Sequence, residues 1–407
     1  MLRRQKIPSF YGIFAIVALV PQIFGFNDSA FNDVYKIFTI IMLAAMLFCT
    51  AKVKLQKPFV AIYLMLTLIS KVCTCISSGY SLFKGLFDYL LIVLLFVMLY
   101  VFPQEIQVDS RKSIFNFYYI YAMFMLFACV YNMIKHFNFL IHITSINIYN
   151  PAMLCSFFDN ENTFGVYLLF GVVSAMALRL FTKKKRWTLL ILIFMINEYM
   201  AMCRTAIVIS LAIVVITLMF TDYKKYRILI FFGVIIIVAM VALASFIINK
   251  VNPDKNIIEV LINNAFSNTD SLEVRDEYVA NMLPLIRGRA ALFGYGDDKA
   301  ANLAMIYTGN RYYHNSYLKV LMTGGIFRML LQAILIFVSL KNSLSVYKKN
   351  KSDGLICFIS VITYLAYATA EAVILLDAYV ISMIIAIIVV TMPQLFNSYY
   401  KNDDDGR

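Results

Sequence analysis

Apolar runs recur along the whole chain, each closed by a few polar residues. A hydrocarbon core is roughly 30 Å thick and takes about 20 helical residues to cross. Runs of about that length fall at Phe10–Phe26, Val34–Ala51, Pro58–Ser77, Phe83–Phe102, Ile114–Ile134 and Thr163–Phe181. They continue at Thr188–Cys203, Thr205–Phe220, Ile228–Ile248, Ser316–Leu340, Leu355–Leu375 and Tyr379–Phe396. The pattern predicts an all-α polytopic membrane protein of about twelve spans. One long polar stretch, Asn249–Tyr313, interrupts it between the ninth and tenth runs.

Composition agrees with this reading. Hydrophobic residues make up 62% of the chain and charged residues 14%, where a soluble domain carries about 25% charge. The formal charge of +13 is explained by where Lys and Arg stand, because cytoplasmic connections retain positive charge. Arg3, Arg4 and Lys6 precede the first run, and Lys52, Lys54 and Lys57 lie between the second and third. The alternation continues with Arg111 and Lys112, with Lys183–Arg186, with Lys224, Lys225 and Arg227, and with Lys341, Lys348, Lys349 and Lys351. The intervening loops Asn27–Asp33 and Glu371–Ala378 contain neither Lys nor Arg. Both termini are therefore expected in the cytoplasm and residues 249–313 outside, and nothing in the charge requires nucleic acid.

The chain reads as a single membrane domain, 1–407, containing the extracytoplasmic loop 249–313 and ending in a polar cytoplasmic tail, 397–407, whose last residues, Asn402–Arg407, are expected to be disordered. The first run follows a basic start, as a signal peptide would. No small-residue cleavage site follows it, so it reads as a retained anchor. No internal repeat is visible, which disfavours transporter folds built from duplicated halves.

The seven cysteines form no C-x-x-C pair and none falls in the long loop, so they read as small apolar packers. His136 and His142 have a spacing that suits neither one helical face nor a usual ligand pair, and no metal is expected. Asp159-Asn-Glu-Asn162 stands where it can cap the sixth span. Within the long loop, Asp270 with Glu273 makes a capping box opening a helix over Ser271–Met282 that Pro284 ends. Arg275 and Tyr278 then share a face. Gly294-Tyr-Gly296 is a turn.

Polar residues gathered at one face of a membrane protein are where chemistry is sought. Arg204 sits between the seventh and eighth spans with almost no loop to either side, and a guanidinium there needs an anion. It can pair with Glu198, snorkel to headgroups, or clamp a phosphate with its planar fork. Arg275, Arg287, Arg289 and Arg311 place further cations in the long loop. His314 opens the string His-Asn-Ser-Tyr-Leu318, where Asn315 and Tyr317 add polar groups and Tyr312-Tyr313 supply flat surfaces of the kind sugars stack against. Aromatic-belt residues look the same.

The order of these motifs resembles the O-antigen ligase and polysaccharide polymerase superfamily. The residues that carry the resemblance are Asn160-Glu-Asn-Thr-Phe-Gly165, Cys203-Arg-Thr-Ala206, Arg275, Phe293-Gly-Tyr-Gly296, His314-Asn-Ser-Tyr-Leu318 and Gly324-Gly325. The chain departs from the usual pattern at Asp159-Asn-Glu-Asn162, where the family often has Asp-Pro-Asn, and at Cys203, where it often has Ser. The resemblance implies a membrane-embedded, type C-like glycosyltransferase that inverts configuration and needs neither metal nor cofactor. It implies an undecaprenyl-diphosphate-linked glycan as donor, a sugar acceptor, and roles for Arg204, Arg275 and His314 in catalysis. Asn162, Arg311, Asn315 and Tyr317 join Arg204 and Arg275 as candidate substrate-binding residues. The expected activity is polymerisation of lipid-linked repeat units of a capsule, exopolysaccharide or O-antigen in the bacterial cytoplasmic membrane. A ligase that transfers finished glycan to lipid or protein is the alternative, and a lipid-linked oligosaccharide flippase a more distant one. A chain-length regulator and a separate flippase are partners the polymerase reading allows.

Overall fold

The structure, a computed structural model, describes residues 10–23, 58–79, 81–101, 103, 110–137, 154–201, 203–220, 277–311, 313–377 and 380–405. The expected spans Val34–Ala51 and Ile228–Ile248, the capping box at Asp270 and Glu273, and Arg275 lie outside the described residues. Among the described residues all regular structure is helical.

The first half contributes α1 (Phe10–Ile23), α2 (Pro58–Ser78), α3 (Leu82–Phe96, continued by a π-helical turn Val97–Val101), α4 (Ser110–Lys135), α5 (Glu161–Thr182), α6 (Arg186–Met200) and α7 (Arg204–Phe220). The second half adds the short α8 (Arg289–Phe293) and α9 (Asp297–Thr308), then α10 (Ser316–Lys349), α11 (Lys351–Tyr367), α12 (Val380–Ala386) and α13 (Met392–Asp405). Five of the described helices are long and apolar enough to cross a membrane. The protein is an all-α polytopic membrane protein.

The hub is α5, buried without interruption from Phe164 to Leu178 and packed against α4, α6, α7 and α11. A helix apolar on every side belongs inside a bundle. Asn160 caps it, its side chain accepting from Thr163 N at 2.8 Å. Phe158 stacks on Phe164 at 5.2 Å, fixing the angle at which the chain enters. Asn132 on α4 donates to Asn197 on α6 (3.1 Å) and accepts from Ser156 N (2.9 Å). That buried network ties the segment before α5 to both neighbours.

Two expected spans turn out to be broken. α10 has a non-helical residue inside it, Gly325, at φ 66° and ψ −166°, so the residues 316–324 form a short leading helix before the long run 326–349. The eleventh span was expected over Leu355–Leu375, but α11 ends at Tyr367. Ala368 and Val373–Leu376 are buried outside any helix. Hydropathy cannot tell a buried apolar loop from a helix, and such a backbone is tolerated at membrane depth where protein covers it. At the chain's end α13 runs to Asp405, into residues whose polarity suggested disorder. Its bonds explain the order: Tyr400 donates to Asp353 (2.6 Å) and Asn397 to Asn342 (2.9 Å).

Candidate functional site

The string His314–Leu318 is held from below by its own side chains. Asn315 caps α10, accepting from Leu318 N at 3.0 Å, and its amide donates to Thr369 O at 3.1 Å. Ser316 donates N–H to Ala368 O (2.9 Å) and its hydroxyl to Glu371 O (2.5 Å), while accepting from Val373 N (2.8 Å). Tyr317 donates to Leu365 O (3.0 Å). The motif is thus stapled to the non-helical stretch that follows α11. Asn315 and Tyr317, expected on substrate, direct these bonds to the fold and stay partly exposed. The stacking role suggested for Tyr313 is corrected: it is buried, donates to Ala300 O at 2.8 Å and packs with Tyr278, Met282 and Leu318, so it offers no face to a sugar.

This stapling brings Glu371 to His314. Glu371 Oε2 lies 3.7 Å from His314 Nδ1, beyond a hydrogen bond but within ion-pair distance, and contacts of this kind tighten when substrate binds. The histidine stays partly open, with 27% of its side chain exposed. Tyr278 presents its edge at 6.5 Å. A carboxylate beside Nδ1 favours the tautomer that carries the proton there and leaves Nε2 as the acceptor.

Arg204 belongs to the same end of the bundle. Gly165 of α5 faces the Cys203–Ala206 junction, and a Cβ there would collide with Cys203 Sγ and Cβ. That glycine lets the first residue of α7 press against α5 beside Asn162, whose Oδ1 receives the Cys203 thiol at 4.0 Å. Tyr367 OH donates to Asn162 O (3.2 Å), and the carboxylates of Glu371, Glu198 and Glu161 all act on Cys203 electrostatically. His314, Glu371, Asn162 and the Arg204 junction therefore converge. The Arg204–Glu198 pair does not form. Glu198 is fully buried and accepts from Ser210 at 2.7 Å, and Arg204, half-buried at the start of α7, has no acid partner among the described residues. A guanidinium at a helix N-terminus is a place for an anion. Arg311 is exposed three residues before His314.

The glycines of the long loop have a partner in the kink of α10. Tyr295 N donates to Met322 O (2.7 Å) and Gly296 N to Thr323 O (3.0 Å). A Cβ on Gly294 would strike the Thr323 and Gly324 backbone, and one on Gly325 would strike that of Leu292 and Phe293. Backbone lies on backbone, so the loop is fixed against the kink of α10.

A family model described as O-antigen ligase matches residues 188–332. That stretch spans Arg204, Arg275, both glycine motifs and His314. Over this stretch, about a third of the chain, the protein is similar to the O-antigen ligase family. A search of curated proteins returned no match. The O-antigen ligase domain omits two parts of the site that the fold supplies, Asn162 from α5 and Glu371 from the segment after α11. Glu371 was missed in the sequence because a single acid inside an apolar run carries no spacing signal. The helix break around it was equally silent.

Proposed function

We propose that the protein is a polysaccharide polymerase that joins lipid-linked oligosaccharide units on the outer face of the bacterial cytoplasmic membrane. The observation that carries this reading is the His314–Glu371 pair at the same end of the bundle as the Arg204 guanidinium, which has no acid partner among the described residues. Transfer needs a base for the acceptor hydroxyl and cations for the departing diphosphate, and these groups supply both. The acceptor oxygen attacks the anomeric carbon of the donor as the bond to the diphosphate oxygen breaks, which inverts the configuration. The hydroxyl proton passes to His314, and Glu371 stabilises the imidazolium. The diphosphate leaves as an anion toward Arg204, with Arg275 as the second cation implied by the family. No general acid is required, because diphosphate is a good leaving group.

A ligase would use the same donor site, and the two part at the products. His314→Ala should slow transfer by roughly 10²- to 10⁴-fold, the worth of general-base assistance. In the native host a polymerase defect collapses the polymer ladder to single repeat units on the lipid carrier. Long carrier-linked polymer that never reaches its final acceptor would instead identify a ligase. Units trapped on the inner leaflet would identify a flippase.

A further inference from the structure

Two cations of the long loop that the candidate site leaves unused stand on one turn. Arg287 and Arg289 flank Gly288, all three exposed, and neither arginine has an ion pair among the described residues. Hydrogen bonds hold the turn in shape. Arg287 N donates to Leu285 O (2.9 Å), Ala290 N to Arg287 O (3.1 Å) and Ala291 N to Gly288 O (3.2 Å). Tyr295 OH donates to the same Leu285 carbonyl at 2.6 Å, while its backbone N–H is bonded to Met322 O of α10. The two guanidinium groups are thus presented by a backbone tied to the kink.

What surrounds them is apolar. Leu283, just before the turn, is 52% exposed, and Leu292 is 44% exposed. Leu292 follows Arg289 by three residues, which puts both on one face of α8. Thr74 Oγ1 of α2 donates to Phe293 O at 2.5 Å, and Phe293 stacks on Phe327 of α10 at 5.2 Å. Thr74 stands four residues before the end of α2, about 6 Å along its axis, so α8 lies at the depth where a spanning helix leaves the hydrocarbon. On either side α2 exposes Ile69 and Ile76, and α10 exposes Ile326 and Leu330. Such stripes on spanning helices face lipid tails.

We propose that residues 283–292 are an anchor that binds the phosphates of anionic phospholipids in the leaflet at the site end of the bundle. Leu283 and Leu292 enter between the headgroups, and the two arginines reach up from that apolar level to the phosphate oxygens, which their planar forks can hold in pairs. Met282, next to Leu283, is fully buried against Tyr278 and Tyr313, and Tyr278 presents its edge to His314. Lipid at the turn therefore fixes the loop that flanks the candidate histidine. The assignment concerns the partner of the loop and is independent of the reaction at His314.

The test reads tryptophan fluorescence from the full chain in phosphatidylcholine vesicles that contain a minor fraction of phosphatidylglycerol, with bromine on the acyl chains of one lipid or the other. The parent has one tryptophan, Trp187, buried beside Lys183–Arg186 at the far end of α5, and supplies the background. Leu292→Trp adds a reporter on the anchor. Brominated phosphatidylglycerol should quench it with an apparent affinity about 5- to 30-fold above that of brominated phosphatidylcholine, the selectivity expected of one to two arginines at a charged surface. Arg287→Gln combined with Arg289→Gln should bring that ratio near one. Lys184→Gln combined with Lys185→Gln, at the opposite end, should leave it unchanged. Leu283→Trp reports from the other flank and should give the same ratios, which keeps the test in force if one reporter fails to fold. Absence of quenching by either lipid would leave the turn in water and overturn the proposal. Equal quenching by the two lipids would overturn it as well, and so would a selectivity that survives loss of both arginines. Relief of the quenching by one equivalent of undecaprenyl diphosphate would give the turn to the carrier lipid instead of the bilayer.

Discussion

At the residue scale the proposed mechanism depends on one carboxylate acting through a histidine. Ser316 bonds to the backbone carbonyl of Glu371 and not to its side chain, so Glu371→Gln leaves the staple of the motif in place while removing the charge. An amide facing Nδ1 neither fixes the productive tautomer nor stabilises the imidazolium, and such a change beside a catalytic histidine costs up to about 10⁴-fold in kcat. Glu371→Gln should therefore lower kcat with the acceptor KM unchanged, and Glu371→Asp should recover part of the loss. A variant whose KM rises while kcat holds would assign Glu371 to sugar binding. His314 and Arg204 were legible in the chain because each stands in a short polar motif where an apolar run stops. Glu371 was not, since what brings it to His314 is a set of bonds from the Ser316 and Asn315 side chains to backbone carbonyls across a sequence separation of more than fifty residues.

At the element scale, the glycine motifs were readable as turns, but their mutual contact was not. Nothing in a single sequence says that Gly294-Tyr-Gly296 lies on Gly324-Gly325. Two positive-φ glycines separate the backbone requirement from the packing requirement. Gly309 ends α9 at φ 70° with open space around it, whereas Gly325, at φ 66°, abuts the backbone of Leu292 and Phe293. Gly309→Ala should lose about 1–2 kcal/mol for the left-handed conformation alone. Gly325→Ala adds a collision with main chain that has no rotamer to retreat into, and overpacking of that kind costs typically about 1–3 kcal/mol more. The unfolding midpoint of the purified protein in detergent should fall further for Gly325→Ala, and polymer synthesis with it. Equal shifts for the two variants would mean that the contact between α8 and α10 contributes little to holding the loop.

At the scale of the whole molecule, the fold gathers basic turns at one end of the bundle. α5 has 22 residues, about 33 Å along its axis, with Asn162 at the end that carries the candidate site and Lys183–Arg186 just beyond the other. The basic turns of α4, α10 and α11 gather at that second end. Arg111, at the start of α4, lies 3.8 Å from Asp353, in the first turn of α11 beside Lys348, Lys349 and Lys351. His314 and Glu371 stand at the opposite ends of α10 and α11. Since cytoplasmic connections retain Lys and Arg, the basic end should face the cytoplasm and the residues 277–313 should face outward. Ile306 on α9 is 73% exposed and Lys184 is exposed in the turn between α5 and α6, which makes them suitable reporters. In intact protoplasts a membrane-impermeant maleimide should label Ile306→Cys above the background of the parent protein, and Lys184→Cys only after lysis. The reverse order would invert the protein, placing His314 and Arg204 on the cytoplasmic side and removing the basis for polymerisation at the outer face.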